Sequence, residues 1–220
     1  MTRVKICGIK DKAHALAAIE AGSNFIGLVF APSQRQVTPA QAGEIVSAVK
    51  KCSDDTVVVG VFVNMPASEV NMTASSCNLD WVQLSGDESW EYCHQITKPL
   101  IKAIRIKPGQ RPEQICRDLA TGVGILSSQR CVCLLDSQVK DKYGGTGMTF
   151  DWRLAQQAAE QFPVIIAGGL TPENVAQAIE IVAPWGVDVS SGVETEGVKD
   201  IAKIRAFIEA VRKADDHNKR

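Results

Sequence analysis

The sequence predicts an α/β protein, a single-domain (β/α)8 TIM barrel, on three observations. Short apolar runs recur eight times along the 220 residues. They are rich in Val, Ile and Leu, as strands buried on both faces are, and each is followed by a segment of helical period. Strand then helix, repeated throughout, implies a parallel sheet; an open doubly wound sheet usually needs about five or six strands, so eight units favour closure. No linker, low-complexity tract or composition shift divides residues 1–220, and one domain is expected over that length.

The first run, Val4–Ile9, leads into the helical segment Asp11–Ala21. Phe25–Phe30 is followed by Ala40–Lys51, which Thr38-Pro39 introduces as a cap residue before a first-turn proline, with Ala42, Ile45, Val46 and Val49 as its apolar positions. Thr56–Val63 precedes Ala67–Ser76, and Trp81–Ser85 precedes a shorter, weaker segment, Glu88–Ile96. Leu100–Ile106 precedes Pro112–Leu119, and Cys131–Asp136 precedes Asp151–Gln161. After Val164–Ala167, Thr171-Pro172-Glu173 repeats the capping device before Val175–Ile181; Gly186–Ser190 and Val198–Lys213 complete the alternation.

Composition narrows the function classes. With 45% hydrophobic and 22% charged residues the chain can bury a sizeable core, and 25 acidic against 24 basic residues give no electrostatic reason to expect nucleic acid or an anionic membrane as partner. The N-terminus lacks an apolar stretch of signal-peptide length, and the apolar runs fall far short of the ~18 residues of a membrane span. A cytoplasmic protein is expected. The seven cysteines are scattered, odd in number and without a Cys-x-x-Cys pair, which argues for buried thiols in a reducing compartment rather than disulfides or structural zinc.

In a barrel the chemistry sits at the carboxyl ends of the strands. Those ends read Cys7-Gly8, Phe30-Ala31-Pro32, Asn64, Ser85-Gly86, Arg105, Asp136, Gly168-Gly169 and Ser190-Ser191-Gly192. The last two suit a phosphate, because glycine lets main-chain N–H groups approach an anion and barrels often hold phosphate between the final two loops, at a helix N-terminus. Either glycine pair alone could serve a turn only. The loop Ser137–Thr149, with Tyr143-Gly144-Gly145-Thr146-Gly147, has the length of a functional lid but matches neither the Walker A nor the dinucleotide fingerprint. Asp136 is either a cap for that loop or an inward acid–base carboxylate. Cys7 is either a buried structural thiol or an accessible one; alternation puts it with Lys5 on the barrel-facing side. A thiol and a carboxylate on strands one and six would face each other across the mouth, as an isomerisation by proton transfer requires. His14, His94 and His217 lie away from the strand ends, against a catalytic triad or a histidine-held metal. Arg35 is either a solvated surface residue or a fork for a substrate carboxylate.

Taken in order, Val4-Lys5-Ile6-Cys7-Gly8-Ile9, Phe25-Ile26-Gly27-Leu28-Val29-Phe30, Ser33-x-Arg35-x-Val37, Val82-Gln83-Leu84-x-Gly86, Leu135-Asp136, Gly144-Gly145-Thr146-Gly147 with Phe150-Asp151-Trp152, Ala167-Gly168-Gly169-Leu170-x-Pro172-Glu173-Asn174-Val175, and Val187-Asp188-Val189-Ser190-Ser191-Gly192-Val193-Glu194 with Gly197-x-Lys199-Asp200 closely resemble the phosphoribosylanthranilate isomerase family over essentially the whole chain. The resemblance implies a (β/α)8 barrel performing an Amadori rearrangement in tryptophan biosynthesis, from N-(5-phosphoribosyl)anthranilate to 1-(2-carboxyphenylamino)-1-deoxyribulose 5-phosphate, without cofactor or metal. It implies Asp136 as the acid that opens the furanose ring and Cys7 as the base that takes the C2′ proton. Arg35 would clamp the anthranilate carboxylate and Asp188 would orient the substrate. Backbone groups around Gly168, Gly169, Ser190, Ser191 and Gly192 would hold the phosphate. One position departs from the pattern: many relatives carry His where this chain has Ser85. The histidine-pathway sugar isomerase resembles this barrel but uses an aspartate in place of Cys7, and a metal-dependent epimerase would want histidines at strand ends. A non-catalytic phosphosugar-binding barrel would keep the glycine cradle without needing Cys7 and Asp136 together. The expected partner is a small phosphosugar, and the expected state is a monomer.

Overall fold

The computed structural model describes residues 1–107, 109–126, 131–137 and 149–217. Among them eight parallel strands close into a barrel in chain order: β1 (Arg3–Cys7), β2 (Phe25–Val29), β3 (Val57–Phe62), β4 (Trp81–Leu84), β5 (Leu100–Ile106), β6 (Cys131–Ser137), β7 (Val164–Ile166) and β8 (Gly186–Val189). Closure comes from β1 pairing with β8, with Lys5 opposite Asp188. Eight helices alternate with the strands: α1 (Lys12–Ala21), α2 (Pro39–Cys52), α3 (Ala67–Ser76), α4 (Trp90–Cys93), α5 (Pro112–Ile125), α6 (Arg153–Gln161), α7 (Val175–Val182) and α8 (Ile201–His217).

Local chemistry explains the helix starts. Asp11 accepts the His14 N–H at the head of α1, and Thr38 and Gln41 form a reciprocal capping box around Pro39 at the head of α2. Most boundaries shift by a few residues from expectation and α4 is trimmed from Glu88–Ile96 to Trp90–Cys93; two shifts have a readable cause. Helix α5 runs on from Leu119 to Ile125 through Gly122, unfavourable by propensity but seated against the six-membered ring of Trp90, where a Cβ would collide. Helix α8 begins at Ile201 rather than Val198, because Val198–Lys199 (β10) pairs antiparallel with Glu194–Thr195 (β9) in a small hairpin. The chain ends are sewn together: the backbone N–H and hydroxyl of Thr2 donate to buried Asp215 on α8 at 2.8 and 2.6 Å.

The core has two shells, as the period-2 alternation of the strands dictates. Outward residues such as Ile6, Ile26, Leu84, Leu135 and Val187 meet the helices in one large cluster. Inward residues Phe25, Val59, Ile101, Val132, Leu134, Ile165 and Ala167 form a separate cluster that plugs the lumen. That plug fills the lumen beneath the carboxyl-terminal mouth.

Candidate active site

A cavity of about 390 Å³ opens at the carboxyl ends of the strands. Its wall contains Cys7, Arg35, Asp136, Gly168, Gly169, Asp188, Ser190, Ser191 and Gly192, so the fold gathers all nine residues singled out from the sequence. The segment Tyr143–Gly147 lies outside the described residues.

On one side stands the thiol. Cys7 is the last residue of β1; Gly8 turns the chain with φ +78°, and the N–H groups of Gly8 and Ile9 both donate to the Gly27 carbonyl on β2. Gly27 is the register partner of Cys7, and a Cβ there would stand 2.9 Å from the sulfur. The absent side chain is therefore what makes room for the thiol. Burial pushes the Cys7 thiol above its ordinary value, with Lys5 opposing.

Across the mouth stands the carboxyl. Asp136 lies on β6 beside β7, and a Cβ at Gly168 would sit 2.5 Å from its Oδ1. With φ +82°, Gly168 thus serves the carboxyl as well as the turn. Burial, reinforced by the Asp188 charge, raises Asp136 to about 6 against the pull of the Ser137 N–H and Arg105. Arg105, the register partner of Asp136 on β5, donates to Asp87 Oδ1 and to the Ser85 carbonyl, both at 2.7 Å.

The final two loops build the third wall. Gly168 and Gly169 both have positive φ, and Asn174 pins their loop by donating to the Gly169 carbonyl at 2.9 Å. After β8 the chain makes one 3-10 turn, Ser191–Val193, in which a Cβ at Gly192 would run into the Leu170 carbonyl oxygen. Buried Lys199 supports this loop from behind: its Nζ donates to the Ser190 carbonyl at 2.9 Å and to Glu194 Oε1 at 2.6 Å. Glu194 is shared. Arg35 donates from Nε and Nη2 to its two oxygens, each at 2.7 Å, a bidentate fork that fixes the guanidinium while the aliphatic stem of Arg35 crosses Gly8. Despite burial, which pushes it up, the Glu194 carboxyl is held below its ordinary range by Arg35 and Lys199.

Four participants escaped the sequence reading: Lys5, Glu194, Lys199 and Gln83. The signal for Lys5 was present, a charged residue on the inward face of an apolar strand. Gln83 points into the cavity wall and its Nε2 donates to Ser85 Oγ at 3.0 Å, so the departing serine is joined to a neighbour on its own strand end. Among the described residues no group of three or more His, Cys, Asp or Glu is arranged to hold a metal ion, and no helix is long and apolar enough to cross a membrane.

Comparison with known proteins meets this geometry. A family model described as N-(5'phosphoribosyl)anthranilate (PRA) isomerase matches residues 4–210. The N-(5'-phosphoribosyl)anthranilate isomerase of Dehalococcoides mccartyi is 47% identical over 215 residues, covering 98% of each chain. The crystal structure of the phosphoribosyl anthranilate isomerase of Thermotoga maritima is similar with a TM-score of 0.82 and 36% identity, over 97% of this chain and 100% of that one. A further structure, of phosphoribosyl anthranilate isomerase in complex with reduced 1-(o-carboxyphenylamino)-1-deoxyribulose 5-phosphate, is similar with a TM-score of 0.79 and 35% identity over 97% and 100% of the two chains. The chain belongs to the N-(5'-phosphoribosyl)anthranilate isomerase family.

Proposed function

We propose that this barrel isomerises N-(5'-phosphoribosyl)anthranilate with Asp136 as general acid and Cys7 as general base. The observation that carries the reading is their placement on opposite sides of one cavity, Cys7 seated against Gly27 of β2 and Asp136 against Gly168 of the loop after β7. Asp136 gives its proton to the furanose ring oxygen as the C1′–O bond breaks and the anthranilate nitrogen lone pair forms the Schiff base. Cys7 then takes the C2′ proton, and the electrons of that C–H bond move to the nitrogen through a C1′–C2′ double bond. The resulting enolamine becomes the ketone when C1′ gains a proton and the 2′-hydroxyl loses one, so no proton is consumed.

Opposite ionisation of two groups explains how such a pair works at neutral pH. Most molecules carry Asp136 ionised and Cys7 protonated; the productive minority has the proton on Asp136 and a thiolate at Cys7. Both forms hold the same number of protons. We therefore expect kcat/KM to be flat from about pH 6 to the raised value of the thiol, falling below as thiolate is lost and above as protonated Asp136 is lost.

The substrate phosphate meets the backbone at Gly168, Gly169, Ser190, Ser191 and Gly192, with Lys199 adding positive charge behind Ser190. Glu194 occupies the Nε–Nη2 edge of Arg35, so the anthranilate carboxylate meets the Nη1 side of the guanidinium. Asp188 borders the cavity and orients substrate from β8. The exposed large apolar residues among those described, Met1, Met72 and Val198, lie at the start of the chain, on α3 and on β10, which supports a monomer; sedimentation at micromolar concentration checks it. The reaction is tested by loss of anthranilate-type fluorescence from freshly generated phosphoribosylanthranilate. Rapid decay that vanishes in Cys7→Ala and Asp136→Asn is expected, and wild-type decay in either variant overturns that residue's role.

A further inference from the structure

Strand β1 turns Arg3, Lys5 and Cys7 into the lumen, and of these Lys5 is only 1% exposed. The lumen is otherwise lined by apolar residues such as Val59 and Leu134, and an apolar residue here would fill the space without dehydrating an ammonium. An ion pair resolves the burial: Lys5 Nζ donates to Asp188 Oδ1 at 2.8 Å, between strands in direct register. Pairing alone would be a structural matter. The glycine opposite Cys7 shows more. The point where a Gly27 Cβ would stand is 2.9 Å from Cys7 Sγ and 3.1 Å from Lys5 Nζ, so thiol and ammonium share the space that this residue leaves empty. Both Asp188 and the Cys7 sulfur favour the charged form of this ammonium against its burial. An ammonium has three donors and no acceptor, which suits it to hold a carboxylate below and a thiolate above at once.

We propose that Lys5, anchored by Asp188, is the positioning residue of the base: its ammonium is the fixed countercharge of the Cys7 thiolate. This rests on the reading of Cys7 as base. The charged groups facing the sulfur are Lys5 from β1, Asp188 from β8, Lys199 from β10 and Arg35 from the loop after β2; β2 itself presents Gly27. Burial raises the thiol most, Lys5 opposes it most, and Asp188 raises it further. A bare carboxylate beside Cys7 would therefore hinder thiolate formation, and Asp188 helps the base only through the lysine it holds in place.

The test follows the thiol directly. Cys7 is the cysteine in the cavity wall, so its alkylation by iodoacetamide, read on its own peptide by mass spectrometry across pH, reports its thiolate. In Lys5→Met the alkylation midpoint is expected to move to higher pH, and the alkaline limb of kcat/KM with it, while the plateau falls about tenfold for each unit of that move and KM changes little. Lys5→Arg should restore part of both. The double variant Lys5→Met/Asp188→Asn removes the pair without stranding a buried charge, and it serves if the single variant does not fold. Its alkylation midpoint is expected to move in the same direction but less far, because the carboxylate that raises the thiol is lost with the ammonium, and KM is expected to rise because Asp188 borders the cavity. An alkylation midpoint unmoved in the folded variants overturns the proposal, and so does activity lost with no movement of the alkaline limb, which would mark Lys5 as structural. Wild-type turnover in Cys7→Ala would instead overturn the base reading beneath it.

Discussion

The two ends of one lumen are built on opposite terms. At the bottom, Phe25 packs edge-on to Trp81 with ring centroids 6.0 Å apart and tilted against Trp185 at 5.7 Å, and the Arg3 guanidinium lies 4.2 Å over Trp185. Branched residues of β3, β5, β6 and β7 fill what is left. At the top, strands of the same alternation present a thiol and two carboxylates around open space, with the buried ammonium of Lys5 paired to one of them. The bottom gains stability from every atom it buries, whereas the top holds ionisable groups where burial disfavours their charged forms. A catalytic mouth is thus tolerated because the plug beneath it is apolar and well packed.

Removing the acid should break the contrast most sharply. Asp136→Asn is expected to lower turnover by about 10³-fold or more, as loss of a positioned acid does. The same change should stabilise the fold at neutral pH. A carboxyl raised from 3.8 to about 6 on folding favours the native state fully below pH 3.8, and that contribution is lost as pH rises through about 6. Asparagine has no charge to bury, so roughly 1–3 kcal/mol should return at pH 7 and almost none at pH 3.5, a difference that urea unfolding at the two values measures.

The reciprocal change lies at the bottom. Phe25→Ala should cost about 3–5 kcal/mol in urea unfolding while leaving kcat of the folded fraction within about twofold, since the ring touches the plug and not the cavity. A large fall in kcat would show that the two ends are not separable. Gly27→Ala probes the boundary between them. Its methyl would press on Cys7 Sγ and Lys5 Nζ, so a fall in kcat of roughly 10- to 100-fold is expected from displacement of the base, with a stability loss of about 1–3 kcal/mol. The smallest effect belongs to the rim: Glu194→Gln loosens the fork on Arg35, and KM should rise about three- to tenfold with kcat little changed.

Much of the site was legible in the linear chain because barrel chemistry lies at strand ends and strand ends are readable from apolar runs. Cys7 and Asp136 stood out as reactive groups closing such runs, and the glycines at 168, 169 and 192 as places of close approach. Gly168 was read only as part of an anion cradle; its second use, clearing space for the Asp136 carboxyl, depends on the approach of β6 to β7. Gly27 stood in the sequence only as one residue of the apolar run Phe25–Phe30. Its role follows from the β1–β2 register that sets it opposite Cys7.

By itself the sequence determined the alternation of strand and helix, the number of units, the family and the two reactive groups, Cys7 and Asp136, that close their strands at the cavity, since each is encoded locally or in ordered motifs. Only the tertiary structure decided who holds whom. Lys5 meets Asp188 across 183 residues, and Arg35 meets Glu194 across 159. Such pairs arise when β8 returns to close on β1, and closure is a property of the whole barrel that no local pattern records.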